Sequence, residues 1–108
     1  MLTCFDLEPG ADVRDFRAAL ARLSEHLVSQ DLLAETGPVG RRQRHPVMDT
    51  DEERDHEYFF VMAFDDRAQC DRAVDYMYRS PGAVDSLHRS VYDRIANPVF
   101  ICWEDLPD

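Results

Sequence analysis

His88 and Tyr92 are the residues whose types and spacing could carry acid–base chemistry. They lie four positions apart, and in a helix such residues share one face. An imidazole titrates close to neutral pH, so His88 could act as a general base in a cleft between helix and sheet. It also falls on an apolar stripe between Leu87 and Val91, where a half-buried histidine without a catalytic role is the commoner case. We therefore name His88 and Tyr92 as candidate catalytic residues and leave open whether the protein is an enzyme.

A cationic patch interrupts a chain that is otherwise acidic, and it consists of Arg41, Arg42, Arg44 and His45. Arginine binds carboxylates and phosphates bidentately, so the patch could hold an acidic group of a small organic ligand. Alternatively, the arginines pair with the acidic segment that follows, in the same chain or across a dimer. We favour this alternative because exposed charges mostly pair or are solvated. Aromatic side chains such as Tyr58 and Trp103 could form further walls of a ligand site.

Residues 46–57 form an acidic segment with no apolar period, which predicts a solvated and mobile loop. His45 and His56 bracket it, and Asp49, Asp51 and Glu53 lie between them. Two imidazoles with carboxylates could bind a divalent metal. No helical or turn spacing aligns these groups, however, and a metal site needs ligands held in a fixed geometry. We therefore predict no metal and no cofactor.

Composition excludes several other classes of function. The 12 basic residues include no lysine, which excludes a Schiff-base mechanism. The net charge of −10 disfavours binding to nucleic acid and to anionic membranes. Three cysteines without CxxC spacing predict reduced thiols and a cytoplasmic location. With 108 residues, we expect a single domain over 1–108.

The stretch Tyr58–Phe64 is the element around which the rest of the chain is organised. It consists of seven apolar or aromatic residues, with charged residues on both sides. Its length and composition are typical of a strand. Alternate side chains of a strand point to opposite faces, so both faces of this one are apolar and both need to be covered.

The remaining elements follow from the pattern of apolar residues and from turn signals. Before the central strand, we predict a strand over 2–7, a helix capped by Asp12 and an edge strand over 33–43 interrupted at Gly37-Pro38. After it, we predict a helix that follows Asp65-Asp66, with a new start at Ser80-Pro81 and an end before Asn97-Pro98, and then a strand over 99–103. The two helical segments after the central strand count as one helical element of the fold. This order predicts an α+β protein with a ferredoxin-like βαββαβ fold. Its four-stranded antiparallel sheet would carry both helices on one face. The uncovered apolar face predicts a homodimer through the sheet.

Two segments resemble the dimeric α/β-barrel superfamily, especially its Dabb and EthD-like branches. They are Tyr78-Arg79-Ser80-Pro81 with the helix after it, and Val99-Phe100-Ile101-Cys102-Trp103-Glu104-Asp105. In Dabb-like enzymes, an acid/base histidine is the second residue after the proline, and here that position is Ala83. The resemblance therefore implies the fold and the dimer, and it does not carry over the catalytic residue.

Two hypotheses on function remain. The first is an uncharacterised dimeric α/β barrel that works as a small-molecule binding or interaction module without catalysis. The alternative is a cofactor-free monooxygenase, isomerase or lyase that acts on an aromatic or polyketide-like molecule in a cleft between helices and sheet. A closed cavity with His88 facing into it favours the enzyme, and a filled core favours the binding module.

Overall fold

The computed structural model describes residues 1–79 and 82–107, and within these ranges it has five strands and three helices. The strands are β1 (Leu2–Leu7), β2 (Glu35–Thr36), β3 (Gly40–Arg41), β4 (Tyr58–Ala63) and β5 (Ile95–Ile101). The helices are α1 (Val13–Ser29), α2 (Arg67–Arg79) and α3 (Ala83–Tyr92). The predicted helix start at Ser80-Pro81 lies outside the described residues.

The strands form one antiparallel sheet in the order β2-β4-β1-β5, in which β3 also pairs with β4. The predicted α+β class is therefore confirmed. The described sheet has five strands where four were predicted, because the second strand is divided at Gly37-Pro38. The Gly37 amide still donates to the Val61 carbonyl at 2.8 Å, but Pro38 has no amide hydrogen with which to continue the ladder.

Helix α1 forms where the sequence predicts it. Asp12 precedes the helix in an extended conformation, and its carboxylate accepts a hydrogen bond from the Arg14 amide at 2.6 Å. Such a cap satisfies one of the amide groups that a helix start leaves without a partner. One face of α1 is buried, through Phe16, Ala19, Leu20, Leu23 and Leu27.

The core lies between the helices and one face of the sheet. Phe5 of β1 is fully buried, with its ring centroid 4.7 Å from that of Phe16 and 5.7 Å from that of Phe60. Ala73 of α2 and Val91 of α3 belong to the same cluster, so all three described helices contribute to it. Strand residues alternate between the two faces of the sheet. Because the three described helices pack on one face, none of them covers the other face.

Strand β5 begins earlier than the sequence predicts, at Ile95, and it includes Asn97 and Pro98. Leu7 pairs with Ile95, and the β1–β5 register shifts between Cys4 and Asp6. Asn97 lies in β5 at this register shift, and its backbone is in the left-handed region, with φ of 54°. The prediction that Asn97-Pro98 separates helix from strand was therefore wrong, because an asparagine in this conformation forms a bulge that accommodates a proline at a sheet edge.

The chain forms a slab of 44 × 43 × 19 Å. Its thinnest dimension corresponds to one helix layer on one sheet, since packed layers are about 10 Å apart. Among the described residues, no helix combines the length and the apolar character needed to cross a membrane.

Candidate functional site

The face of the sheet that points away from the helices, hereafter the far face, is apolar. Directly paired residues of antiparallel strands share a face, and the register pairs Leu2 with Val61 and Cys4 with Phe59. The apolar side chains of the far face are Leu2, Cys4, Phe59, Val61, Ala63, Val99 and Ile101. Phe59 is 38% exposed and Val61 42% exposed, in the middle of the sheet.

Gly40 and Phe59 show how closely the far face is packed within one chain. They are direct partners across β3 and β4. A β-carbon on Gly40 would overlap the Phe59 ring, so the ring lies directly over the glycine. Only glycine leaves room for this arrangement, which spreads the ring across the surface of the sheet.

The catalytic candidates lie in a group of rings that we call the aromatic cluster: Tyr78, His88, Tyr92 and Phe100. The His88 ring centroid is 4.4 Å from that of Tyr92 and 5.4 Å from that of Tyr78, and the Tyr92 centroid is 6.1 Å from that of Phe100. The Nε2 atom of His88 is buried and has no hydrogen-bond partner among the described residues. Such an atom carries a desolvation cost that a donor from a ligand would relieve.

Burial also sets the protonation of these two side chains. It lowers the pKa of His88, and the Asp85 carboxylate opposes this more weakly. Burial raises the pKa of Tyr92 to about 12. Both groups are therefore neutral at pH 7, so His88 can accept a proton, whereas Tyr92 keeps its proton and can donate or accept a hydrogen bond.

An enclosed apolar cavity lies between α1, α2 and the sheet, with a volume of about 40 Å³. Leu23, Phe60, Val74 and Met77 are part of its lining, and Tyr92 reaches it from α3. His88 does not line it. Pockets for drug-sized ligands measure roughly 300–1,000 Å³, so this gap in the helix-side core is far too small for such a ligand, and the candidate base does not line it.

Arg42 organises the acidic segment. Its guanidinium binds both carboxylate oxygens of Asp49, at 2.6 and 2.7 Å, and also donates to the carbonyls of Asp51, at 2.7 Å, and Arg54. The Arg42 side chain is only 18% exposed. Residues 42–57, hereafter the arm, are thus tied together by one half-buried arginine. The sequence predicts a mobile loop here, because the segment is acidic and has no apolar period.

The other arginines of this region also pair with nearby carboxylates. Arg41 lies 3.5 Å from Glu57 and places its guanidinium 5.6 Å from the centre of the Tyr58 ring. Arg44 pairs with Asp55. From the sequence we favoured pairing of these arginines with the acidic segment, in the same chain or across a dimer, and the pairs described here lie within one chain.

Two ion pairs of the arm, Arg42–Asp49 and Arg54–Asp51, are resistant to acid. Arg54 lowers the pKa of Asp51 to about 2, and Arg42 lowers the pKa of Asp49. A carboxyl whose pKa is depressed in the folded state stabilises that state above the unfolded value, which is about 3.9 for aspartate. That contribution is lost as the pH falls towards the folded value, so these two pairs persist below the pH at which a free aspartate is protonated.

The two histidines that bracket the acidic segment bind backbone atoms. Nδ1 of His45 accepts hydrogen bonds from the amides of Val47 and Met48, at 3.1 and 3.0 Å. His56 reaches across the sheet, with its Nε2 atom 2.7 Å from the Asn97 carbonyl. Within the described residues, no group of three or more His, Cys, Asp or Glu side chains is placed to bind a metal.

The two aromatic ligand candidates lie apart. Tyr58 is half-buried at the start of β4 and stacks on Phe5, with ring centroids 5.7 Å apart. Trp103 follows β5 and is 78% exposed. The structure does not bring Trp103 together with Tyr58 or with Arg41 in one pocket among the described residues.

Sequence reasoning missed a bond between two helices. The hydroxyl of Tyr76 on α2 lies 2.8 Å from Nε2 of His26 on α1, and the two rings stack with centroids 5.8 Å apart. Both side chains lie beside the apolar positions of amphipathic helices, which is a weak signal for such a contact.

Comparisons of the chain with models of protein families, with curated proteins and with solved structures find no match in any of the three. The fold and the surfaces described above are therefore what bears on function.

Proposed function

We propose that this chain works as a homodimer in which two copies meet through the far face, in a ferredoxin-like βαββαβ fold of the dimeric α/β-barrel type. The order of the sheet supports this fold when β2 and β3 are taken as one interrupted strand. The observation that carries the dimer is the far face itself, because Phe59 and Val61 are 38% and 42% exposed at the middle of the sheet. Apolar patches of this kind mark interaction surfaces.

The surface area of the chain supports a second copy as the partner. The protein exposes 7568 Å², whereas an average monomer of 12.5 kDa exposes about 6,200 Å². The excess of about 1,400 Å² is larger than the roughly 800 Å² that each partner loses in a standard interface. A two-fold axis lets one self-complementary patch serve both copies.

The proposed role of the dimer is binding, either of a small molecule or of another protein, without catalysis. The cavity between α1, α2 and the sheet is apolar and small, which suits a short apolar group more than an extended aromatic substrate. His88 does not line this cavity, so the residue best suited to be a general base does not contact a molecule bound there. Cys4, Cys70 and Cys102 are free thiols in the described chain, which supports a reducing compartment such as the cytoplasm.

Sedimentation velocity over a range of protein concentrations tests the dimer. We expect the wild type to sediment as a dimer and Val61→Glu to sediment as a monomer. The substitution places two like charges in the proposed interface between the far faces of the two copies, hereafter the seam. Val28→Glu is the matched control, since Val28 is 47% exposed on α1, on the other side of the sheet. A monomeric wild type at micromolar concentration contradicts the proposal.

A second candidate is a cofactor-free oxygenase, isomerase or lyase, and it is favoured by the buried Nε2 of His88 that has no partner among the described residues. A neutral imidazole beside Tyr92 is suited to take a proton from a phenol-like substrate. Oxygen uptake with anthrone as the probe tests the oxygenase. Activity that is present in the wild type and lost in His88→Gln supports this candidate, and equal rates in both proteins exclude His88 as its base.

A further inference from the structure

The cavity between α1, α2 and the sheet is lined by four residues that contain sulfur, hereafter the sulfur cluster: Met1, Met62, Cys70 and Met77. The chain has four methionines, so three of the four line one cavity. The fourth, Met48, is 82% exposed on the arm. Methionine commonly fills irregular gaps in a core, so the positions of these residues and the chemistry of the cavity decide whether they do more.

The sheet and one helix bring the sulfur cluster together. The Met62 amide donates to the Met1 carbonyl at 2.9 Å, and the Met1 nitrogen donates to the Met62 carbonyl at 2.7 Å. Partners of this kind hold their side chains on the same face of a sheet. Cys70 and Met77 are seven positions apart in α2, which places them on the same face of the helix. One pair therefore lines the cavity from the sheet and the other from α2.

The atoms that this cavity offers are suited to a soft metal ion. Thiolate and thioether sulfur are the ligands that select Cu(I), whereas Mg²⁺, Ca²⁺ and Mn²⁺ prefer oxygen. Among the described residues, no Asp, Glu or His side chain lines the cavity. Its volume of about 40 Å³ leaves room for one ion without the water shell that a hard ion such as Mg²⁺ keeps. The three rotatable bonds of a methionine let its sulfur atom turn towards such an ion.

The balance of charge favours a monovalent ion. Burial raises the pKa of the Cys70 thiol, because a lone thiolate would be an unpaired charge in apolar surroundings. When Cu(I) binds, a sulfur–copper bond replaces the sulfur–hydrogen bond and the proton leaves to water. One thiolate and one Cu(I) ion together carry no net charge, and thioethers are neutral. A divalent ion would leave a net positive charge in the cavity, which is costly.

We propose that the sulfur cluster binds one Cu(I) ion, with the thiolate of Cys70 as the anchoring ligand and the thioethers of Met62 and Met77 as further ligands. The proposal goes beyond the binding role given above, because it names an ion as the ligand of the cavity. It does not depend on the dimer, because the whole cluster belongs to one chain. No local spacing in the sequence reveals it, since its members come from two distant strands and a helix.

Competition with the Cu(I) chelator bicinchoninate tests the site, in the absence of oxygen and with ascorbate to keep the copper reduced. The parent protein carries Cys4→Ser and Cys102→Ser, so that Cys70 is its one remaining cysteine. We expect it to bind one Cu(I) ion per chain and Cys70→Ser to abolish the binding. A parent protein that does not compete with bicinchoninate, or one that still binds after Cys70→Ser, overturns the proposal.

Methionine variants separate a metal site from a thiol that binds copper by itself. Met62→Leu and Met77→Leu remove a sulfur atom and nearly conserve the volume of the side chain. We expect each to weaken the binding by about tenfold or more, since even residues that only orient metal ligands account for roughly 10- to 100-fold in affinity. Met48→Leu is the matched control and should leave the affinity unchanged. Equal affinities in all three variants, or an equal loss in all three, overturn the proposal.

Two further measurements keep these outcomes clear. The thermal unfolding midpoint without copper checks the fold, and it should stay within about 10 °C of that of the parent protein in both leucine variants. Met77 is half-buried, so Met77→Leu carries the test if Met62→Leu, at a position only 4% exposed, does not fold.

Sedimentation of the same samples separates the copper site from the dimer. A monomeric Val61→Glu that binds Cu(I) with the affinity of the parent protein supports a site within one chain. A monomeric wild type that binds copper contradicts the dimer alone, and a dimeric wild type that does not bind it overturns the copper site alone.

Discussion

The two faces of the sheet are built from the same strands, but they differ in how far their side chains are buried. On the helix side, Phe5 and Phe60 are buried to 1% exposure or less, whereas Phe59 and Val61 on the far face remain partly exposed. Four residues of β4 in a row thus alternate between core and surface, although all are apolar. This difference shows that apolar composition determines how much of the sheet has to be covered. The position of the helices determines which of the two faces is covered within one chain.

The largest effect that we expect is a difference in the free energy of unfolding between Phe60→Ala and Phe59→Ala. Both substitutions are made in the Val61→Glu background, which we expect to be monomeric. Phe60→Ala removes a ring from a close-packed core and should lower the free energy of unfolding by about 3–5 kcal/mol. Phe59→Ala should cost about 1–2 kcal/mol, because part of its ring is in water. Urea unfolding measures both. Equal losses would show that the far face belongs to the core of one chain.

A smaller effect is expected at Thr3, a buried polar residue on the helix side of the sheet. Its hydroxyl is buried without a hydrogen-bond partner among the described residues. Thr3→Val should therefore raise the free energy of unfolding by about 1 kcal/mol. Thr36→Val is the matched control, because the Thr36 hydroxyl accepts a bond from Ser24 at 2.8 Å, and its loss should destabilise by about as much. A loss of stability in Thr3→Val would mean that its hydroxyl is satisfied.

The proposed dimer should respond to salt in the direction set by its charge. Two chains of net charge −10 repel each other, and an apolar seam is not weakened by salt. Raising the concentration of NaCl from about 0.05 to 0.5 M shortens the screening length from roughly 14 to 4 Å, so we expect a several-fold tighter dimer in sedimentation. A dimer that weakens with salt would indicate an interface of ion pairs instead.

The smallest expected effect is the pH dependence of His88. Burial lowers its pKa in the folded state, so the unfolded chain, with a value of about 6.5, binds a proton first as the pH falls. The wild type should therefore lose a little stability between pH 7.5 and 5.5, and His88→Gln should lose less. Because the side chain is half-exposed, solvent screens the effect. Chemical unfolding at the two pH values measures this loss. An equal loss of stability in the wild type and in His88→Gln would show that the ring is fully hydrated.

Local signals in the sequence were sufficient for much of the fold. The run from Tyr58 predicted a central strand with two apolar faces, and β4 is that strand. Asp12 predicted the start of α1, and its carboxylate caps the helix. Gly37-Pro38 predicted the interruption between β2 and β3. Each of these depends on residues within a few positions of one another, which is where propensity and periodicity are informative.

Other features depend on contacts between distant residues. The order of the arm depends on Arg42 reaching carbonyls 9 and 12 positions away, which no periodic pattern reveals. The pairing of His26 with Tyr76 spans 50 positions. The start of β5 was missed because the pairing of Leu7 with Ile95 outweighs the local signal of Asn97-Pro98. For His88, the sequence could give its helix face but not that Tyr78 and Tyr92 cover its ring.

The left-handed Asn97 and the following Pro98 lie in β5, the edge strand at one end of the sheet. A proline offers no amide hydrogen to an incoming strand, and the bulge bends the edge away from a flat template. Growth of the sheet by addition of strands from further molecules is therefore blocked on this side. If two copies pair through the far face, as proposed, the pair is closed and its β5 edges give no template for strands of further molecules.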